Sequence, residues 1–376
     1  MKLKIVNIVT DHGYGGIRKV AEFIDTQLSS NEIDSSTIAL DEFRSNSSSL
    51  WLVNWILIWF RLRKKLNNTF NNIIIVHHPI ACLLLPFNFN FKIVYVLHGP
   101  LYPKYKITNF FKISIKNIIQ FLALLRSSKI ISVSYGILND LPRFLISKSS
   151  VIHNAPSLSF YRLNNKIHLF QYLFHYSGIR LVNYGRFCYQ KNQEYCIQIL
   201  IELKKLGIKT QLYLIGSGDT YELLQSIALK AGLKICDHDM IPNEEYDLVF
   251  TGSMNGLGWI HDYFDVAIFP SRFEGFPISL MECLSVKIPV IFSDCCYGPK
   301  EQFQKLATYY GNDEEASLHL KLMGATVEGS DNVHAWLSAI IDFKKLGKPP
   351  LISYLKPENL FEEMSLSWKI FLKNLI

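Results

Sequence analysis

Two glutamates, Glu274 and Glu282, stand eight positions apart, with a Gly275-Phe276-Pro277 turn directly after the first. The apolar run 265–269 before them has the pattern of a buried strand. Pro277 suits the first turn of a helix, where its missing N–H costs nothing. The pattern therefore predicts that Glu274 lies in a loop at the end of a strand, which is where open α/β sheets bind ligands. The loop also leads into the start of a helix, where free backbone N–H groups suit phosphate or sugar oxygens. The simpler alternative is two solvated carboxylates near a helix start.

A second loop carries two fixed cations. Arg186 and Lys191 lie five positions apart and follow Gly185 at the end of another apolar run. In a strand-loop-helix context such a pair can clamp a diphosphate, and each charge-assisted hydrogen bond contributes about 1.5–3 kcal/mol. The alternative is that both are surface charges.

Two glycine turns also follow predicted strands. Gly15 and Gly16 precede the first helix and would let the backbone approach a ligand, although their spacing is not GxGxxG. Gly216 and Gly218 follow a later strand, where they either shape a nucleotide pocket or simply precede a helix cap.

Histidines occur at two strand ends. His98 ends a buried run and precedes Gly99-Pro100, a better position for chemistry than that of His77-His78, which fits a structural role. No CxxC pair is present to suggest a zinc site.

Short apolar runs alternate with helical patterns along the whole chain, which predicts a doubly wound α/β fold with parallel sheets. The predicted strands are 3–9, 36–40, 72–76, 92–97, 130–133, 151–152, 180–183, 211–215, 248–250, 265–269 and 290–292. The predicted helices are 16–28, 50–66, 109–125, 136–145, 192–206, 220–231, 258–263, 277–284, 314–323 and 357–376. The aromatic-rich stretch 154–178 interrupts the alternation, and 376 residues favour two domains.

Composition favours a protein of the cytosol. No opening stretch reads as a signal peptide, and seven irregularly spaced cysteines indicate reduced thiols. The longest apolar run, 51–60, is too short to span a bilayer.

Charge is unevenly distributed. Residues 1–170 carry 20 Lys and Arg against eight Asp and Glu, and no acidic residue occurs between Glu42 and Asp140. Segments 50–66 and 109–126 combine apolar and basic residues, a combination typical of helices that lie on anionic membranes. The alternative is that both helices pack on the sheet with solvated charges. Nucleic acid is less favoured, because no recognised binding motif accompanies the charge.

These motifs, in this order, resemble the retaining glycosyltransferases of the GT-B fold, glycosyltransferase family 4. The resemblance also includes Ser134, Asn154 and the 298–301 segment, which is similar to one in bacterial members that build surface polysaccharides. It implies two Rossmann-like domains facing across a cleft, with a C-terminal helix that crosses back to the first domain. The domains would be 1–170 with 357–376, facing acceptor and membrane, and 171–356, binding the donor. The chain departs from the family at 154–156, where Asn-Ala-Pro replaces the common Asn-Gly.

The resemblance also implies residue roles. Arg186 and Lys191 would neutralise the donor diphosphate in place of a metal, and Glu274 and His98 would lie by the transferred sugar. Glu282 would contact the ribose. The other donor-binding positions would be Gly15, Gly16, Gly185, Gly216, Gly218, Gly275, Phe276 and Pro277.

The predicted activity is transfer of a hexose or N-acetylhexosamine from a UDP-linked donor, with retention and without cofactor or metal. The acceptor would be a saccharide or lipid-linked saccharide at the inner face of the cell membrane. Two alternatives are a UDP-sugar epimerase of related fold and a non-catalytic nucleotide-sugar-binding partner.

Overall fold

A computed structural model describes most of the chain, which divides into two units. Unit 1 comprises Met1–Ala155 with Phe361–Ile376, and unit 2 comprises Pro156–Leu360. The described residues are 3–10, 16–29, 33–43, 51–66, 73–86, 91–101, 110–156, 170, 172–173, 175–238, 240–254, 257–258, 260–286, 288–295, 297–310, 324–327, 332–346 and 357–375.

Unit 1 contains a parallel six-stranded sheet in the order β2-β1-β3-β4-β5-β6. Its central strands are rich in Ile and Val and are buried, as expected for strands covered on both faces. The strands are β1 (Leu3–Val9), β2 (Ile33–Ala39), β3 (Ile73–Val76), β4 (Lys92–Leu97), β5 (Lys129–Ser132) and β6 (Ser149–Val151).

Helices cover both faces of this sheet. They are α1 (Gly16–Leu28), α2 (Trp51–Leu66), α3 (Pro79–Leu84), α4 (Phe110–Arg126), α5 (Tyr135–Asn139) and α6 (Arg143–Ile146). Parallel crossovers are right-handed, so the connections from β2 to β6 place α2 to α6 on one face and α1 on the other. Contacts between α3 and α4, and between Phe121 and Phe144, agree with this placement.

The C-terminal helix, α13 (Pro357–Leu375), belongs mainly to unit 1. Met364, Trp368 and Leu372 recur every fourth residue and are buried, which is the spacing of one helix face. The Phe361 ring stacks on Phe23 of α1 at 6.1 Å, and the Lys92 ammonium donates to the Leu375 carbonyl.

Unit 2 contains a parallel seven-stranded sheet in the order β13-β12-β11-β7-β8-β10-β9. The strands are β7 (Ile179–Tyr184), β8 (Thr210–Ile215), β9 (Ile235–Cys236), β10 (Leu248–Gly252), β11 (Val266–Phe269), β12 (Val290–Ser293) and β13 (Gly324–Val327). The helices are α7 (Gln193–Lys205), α8 (Tyr221–Lys230), α9 (Ile260–Tyr263), α10 (Ile278–Ser285), α11 (Gly298–Tyr310) and α12 (Val333–Leu346).

The doubly wound α/β fold is confirmed, and several boundaries differ from prediction. The predicted helix 136–145 is two short helices, because Pro142 cannot supply a backbone N–H to a continuous helix. Pro277 is the N-cap of α10 rather than its first helical residue. The sequence patterns missed α3, α11 and α12 and strands β9 and β13, and the predicted helix 314–323 lies outside the described residues.

In the part of the chain that the structure describes, no helix is both long enough and apolar enough to cross a membrane.

Candidate functional site

The topology of unit 2 places two of the predicted loops side by side. From β7 the chain moves to β8 on one side, and it later returns to β11 on the other side of β7. The carboxyl ends of β7 and β11 therefore form a topological switch point, where open parallel sheets bind ligands. Arg186 and Lys191 follow β7, and Glu274 follows β11, so the fold brings these loops together.

Glu274 and Lys191 are in direct contact. The Lys191 Nζ lies 2.7 Å from the Glu274 Oε1, and the Glu274 side chain is only 6% exposed. The same carboxylate accepts hydrogen bonds from the Ser271 Oγ at 2.8 Å and the Gln190 Nε2 at 3.1 Å. A buried carboxylate requires such partners, so the charge and the orientation of Glu274 are both fixed.

Arg186 is placed differently. Its side chain is exposed, and its guanidinium makes no hydrogen bond or ion pair with the described residues. It sits one residue after Gly185, whose φ of 155° opens the turn at the end of β7. This loop therefore presents one cation to solvent and one to a buried carboxylate.

Polar side chains tie the two loops to each other. The backbone N–H of Arg272 donates to the backbone carbonyl of Gln190, and the Arg272 guanidinium stacks 4.2 Å from the Tyr189 ring centroid. Asn192, in the left-handed region at φ 56°, donates from its Nδ2 to the Pro270 carbonyl at 3.0 Å. Gln193 bonds the Arg186 carbonyl. These ties fix the distance between the cation-bearing loop and Glu274.

Gly216 and Gly218 are required by close packing against the same loop. A Cβ on Gly216 would lie 1.9 Å from the Gly185 carbonyl oxygen, and one on Gly218 would lie 2.2 Å from the Phe187 carbonyl oxygen. Both also have positive φ. The two glycines therefore let the loop after β8 pack directly against the Arg186 loop. The other predicted role, at a helix cap, is not seen at Thr220, whose side chain makes no capping hydrogen bond to α8.

The turn 275–277 is supported by the start of α11. A Cβ on Gly298 would lie 2.0 Å from the Gly275 carbonyl oxygen. The buried Gln302 donates to the Pro277 carbonyl at 2.9 Å, and Phe276 is buried. The start of α11 therefore packs against the 275–277 turn and helps to fix its position.

Glu282 lies on α10, as predicted, and is completely buried. Its carboxylate is hydrogen-bonded to the Tyr184 hydroxyl, and the pKa of that tyrosine is raised well above its usual value, chiefly by burial and then by Glu282. A ribose could reach this carboxylate only after a neighbouring group moves, so the ribose contact remains a prediction.

In unit 1, His98 belongs to a buried polar chain. The His98 Nε2 lies 2.9 Å from the His77 Nδ1, and the His77 Nε2 lies 3.3 Å from the Asn7 Oδ1. The Asn7 Nδ2 donates to the Asp25 Oδ1 at 2.5 Å. Of the neighbouring predictions, His78 caps α3, a structural role. Gly16 begins α1, and Gly15 lies outside the described residues.

The histidine pair is expected to make unit 1 acid-sensitive. Burial lowers the pKa of His98 from 6.5 to about 4, and burial together with His98 holds the pKa of His77 well below 6.5. Below pH 6.5 the unfolded chain therefore binds protons that the folded unit rejects, and the free energy of unfolding falls as pH falls. Each histidine contributes a slope of up to about 1.4 kcal/mol per pH unit.

Urea denaturation of the wild type and of His98→Gln between pH 6.5 and about pH 4 measures the effect. The glutamine variant should show a shallower decline, since one titrating group is gone. Equal slopes would show that His98 does not titrate between these limits.

Sequence patterns missed the residues that orient these groups. Ser271, Gln190 and Arg272 lie within the motifs, but nothing in their spacing indicates which side chains they contact. Asn7 and His77 are 70 positions apart and meet only because β1 and β3 are neighbours. Ser134, which is part of the resemblance, caps α5 by accepting from the Ile137 N–H.

Comparisons with known proteins cover both a large part of unit 2 and the whole chain. Residues 170–317 match the family model "Glycosyl transferases group 1". This segment is a glycosyltransferase domain. EpsF of Bacillus subtilis, whose name describes it as a glycosyltransferase, is 29% identical over 110 residues, which is 29% of this chain and 26% of EpsF. The aligned segment thus spans about a quarter of that relative.

Two solved structures align over nearly the whole length. HepE of Anabaena, in complex with UDP and glucose, is 12% identical, with a TM-score of 0.68 over 98% of this chain and 99% of HepE. The fold is GT-B. The lipopolysaccharide outer core galactosyltransferase WaaB shares it, at 17% identity and a TM-score of 0.57, over 99% of this chain and all of WaaB. At these identities the likeness concerns the GT-B fold and not the substrate.

Proposed function

We propose that this protein transfers a hexose or N-acetylhexosamine from a UDP-linked donor to a saccharide or lipid-linked saccharide, with retention of configuration. The observation that carries the proposal is the switch point of unit 2, where Lys191 contacts Glu274 and Arg186 lies exposed on the same loop as Lys191, which packs against close-fitting glycines. The glycosyltransferase match over 170–317 includes all three residues. The resemblance to family 4, and a UDP-glucose complex of the GT-B protein HepE, support the carrier.

In the proposed reaction, the bond between the sugar and the diphosphate breaks and the phosphate gains negative charge. Arg186, exposed beside this site, and Lys191 stabilise that charge electrostatically. Glu274 is acceptor-only and held by three partners, so it can bind hydroxyl groups of the transferred sugar in one orientation. These two cations supply the role that a metal ion fills elsewhere, and we propose a reaction without metal.

Calorimetric titration with UDP, with GDP as the matched control, tests the donor site. UDP is expected to bind without added metal, and Arg186→Ala is expected to weaken the binding. Preferential GDP binding would replace the proposed carrier, and binding of neither nucleotide would contradict the donor site. Release of UDP with labelled sugar appearing in a membrane-lipid extract would distinguish transfer from epimerisation or silent binding.

We further propose that unit 1 meets its acceptor on an anionic membrane. Helices α2, α4 and α6 share one face of the first sheet, and here they form what we call the α2–α4–α6 flank. Its exposed large apolar side chains are Ile56, Phe60, Ile115, Ile118, Leu122, Leu125, Phe144 and Ile146. Isolated exposed apolar residues are ordinary, but a set of eight on one flank is typical of an interaction site.

The charge of this flank favours a lipid surface over a protein partner. Within α4 the exposed residues Ile115, Ile118 and Leu122 follow helical spacing, so they form one stripe. The end of α2 adds exposed Arg61, Arg63, Lys64 and Lys65, and Arg63 lies over the Trp59 ring. Because residues 43–139 include no acidic side chain, nothing on these helices repels an anionic headgroup.

A charged pair in the stripe tests this surface. Ile118→Asp combined with Leu122→Asp is expected to weaken co-sedimentation with anionic vesicles by roughly tenfold or more, because two apolar side chains that would enter the membrane are replaced by charged ones. The matched control is Leu223→Asp with Leu229→Asp on α8, which removes two comparably exposed leucines from unit 2. Equal loss in both variants, or none in the first, would contradict the α2–α4–α6 flank as the membrane surface.

A further inference from the structure

Unit 1 contains a cavity between its C-terminal helix and the last strands of its sheet. The cavity has a volume of about 440 Å³ and lies where the second half of α13 passes β5 and β6. That volume falls within the range of roughly 300–1,000 Å³ that is typical of small-ligand pockets. The residues that line it all belong to unit 1, so the cavity is separate from the switch point of unit 2.

Four polar side chains line this cavity. None of them makes a hydrogen bond or ion pair with the residues that the structure describes. They belong to Lys129, Ser150, Ser367 and Asn374. Hydroxyl, amide and ammonium groups together supply both donors and acceptors. The cavity can therefore bind a ligand that is rich in hydroxyl groups, as a saccharide is.

The edge of the sheet adds backbone groups to the cavity. β6 is the last strand in the sheet order, and the Lys148 carbonyl and the Ile152 N–H both face β5. Because alternate residues of a strand direct their backbone groups to opposite sides, the N–H and C=O of Val151 face away from β5. β6 has only three residues, which offers an added peptide strand few hydrogen bonds. These groups therefore suit a small ligand better than a peptide.

An apolar wall completes the cavity. It includes Phe371 and Ile370 of α13, and the Phe371 ring is partly exposed. This ring packs edge-to-face on buried Trp368 with 5.9 Å between the centroids, which fixes its orientation. A sugar ring has C–H groups on its faces and hydroxyl groups on its rim, so it requires an apolar surface beside polar groups. The lining of the cavity has this combination.

The surroundings of the cavity favour a negative charge on the ligand. Lys129 is the single charged residue among the described residues that line it. The chain segments that contain the lining residues, 127–139, 141–155 and 364–375, include no Asp or Glu. The C-terminal end of α13 would repel an anion, but its Leu375 carbonyl accepts a hydrogen bond from the Lys92 ammonium. A carboxylate can therefore pair with Lys129 through a charge-assisted hydrogen bond.

We propose that this cavity binds a saccharide that contains uronic acid, with a carboxylate on Lys129 and a sugar ring against Phe371. The side chains of Ser150, Ser367 and Asn374 bind its hydroxyl groups. This binding goes beyond the proposed function and does not depend on it, because the proposed donor site lies in unit 2. Its use in holding an acidic acceptor chain does rest on the proposed function.

Calorimetric titration with trigalacturonic acid and with its methyl ester tests the site, because the two probes share their hydroxyl groups and differ in charge. Wild type is expected to bind the acid at least about tenfold more tightly than the ester, and Lys129→Gln should remove that difference. The matched control Lys4→Gln removes an exposed lysine at the start of β1 and should preserve it. Binding of neither probe, equal affinities in the wild type, or an unchanged preference in Lys129→Gln would overturn the proposal.

Two further variants separate a saccharide site from a general anion site. Phe371→Leu and Asn374→Ala should each weaken the acid and the ester alike, by roughly threefold or more. No loss in either variant, or equal affinity of the wild type for triglutamate, would contradict a saccharide in this cavity. UDP affinity should be unchanged in every variant. Failure of the wild type to bind UDP would count against the proposed function and leave the saccharide result standing.

Discussion

Arg186→Ala and Lys191→Ala are each expected to lower the transfer rate by roughly 10²- to 10³-fold, which is the usual cost of removing one group that stabilises developing charge. The two variants should differ in stability, however. Arg186 is exposed and makes no contact that the fold depends on, so its loss should leave the free energy of unfolding unchanged. Lys191 contacts the buried Glu274, so its loss should cost about 1–3 kcal/mol.

A double variant separates these two effects. In Lys191→Ala with Glu274→Gln the buried carboxylate is neutral, so most of the lost stability should return while transfer stays low. Lys209→Ala, which removes an exposed lysine of the same unit, is the matched control and should change neither quantity. Near-wild-type turnover in both single variants would show that these residues do not clamp a diphosphate.

Gly216→Ala is expected to destabilise unit 2 by at least about 2 kcal/mol and to abolish nucleotide binding. The added methyl group would lie 1.9 Å from the Gly185 carbonyl oxygen, and the backbone must shift to relieve the overlap. That shift would displace the loop that carries Arg186 and Lys191. Urea denaturation and calorimetry with UDP would measure the two consequences.

Gly207→Ala is the control, because it separates steric overlap from backbone strain. Gly207 also has a positive φ, of 71°, but a Cβ there would meet no atom within 4 Å. Its substitution should cost only the left-handed strain, about 1–2 kcal/mol, and should leave UDP binding intact. If the two substitutions proved equally costly, close approach of the loops would not be the reason for glycine at 216.

Elements whose signals are local were predicted well from sequence. Strands β1 and β4 and helix α1 were predicted with their observed bounds, because a Gly turn or a basic residue marks where the apolar pattern starts or stops. Helix α11 was missed, because Lys, Gln and Tyr stand among its apolar positions. Helix α12 was missed, because it follows a stretch without clear boundaries. Strand β9 has two residues, too few for any alternation to be seen.

The candidate site shows the same division. Glu274, Arg186 and Lys191 were predicted as candidates because each follows an apolar strand and precedes a helix, and the structure places all three in loops of that kind. Their partners were not predicted, since Gln190 and Glu274 are 84 positions apart and meet only through the pairing of β7 with β11. The full burial of Glu282 was equally hidden, because a glutamate on a helix gives no sign of which face it occupies.

The division of unit 1 between two distant parts of the chain imposes an order on biosynthesis. The ribosome releases all six strands of its sheet and then the whole of unit 2 before Phe361 appears. Until then, the nascent first unit lacks the Trp368 and Met364 side chains that cover its apolar surface. Unit 1 is therefore the first unit to begin synthesis and the last to be completed. Between those two points its apolar surface is uncovered, and the growing chain most needs protection from aggregation.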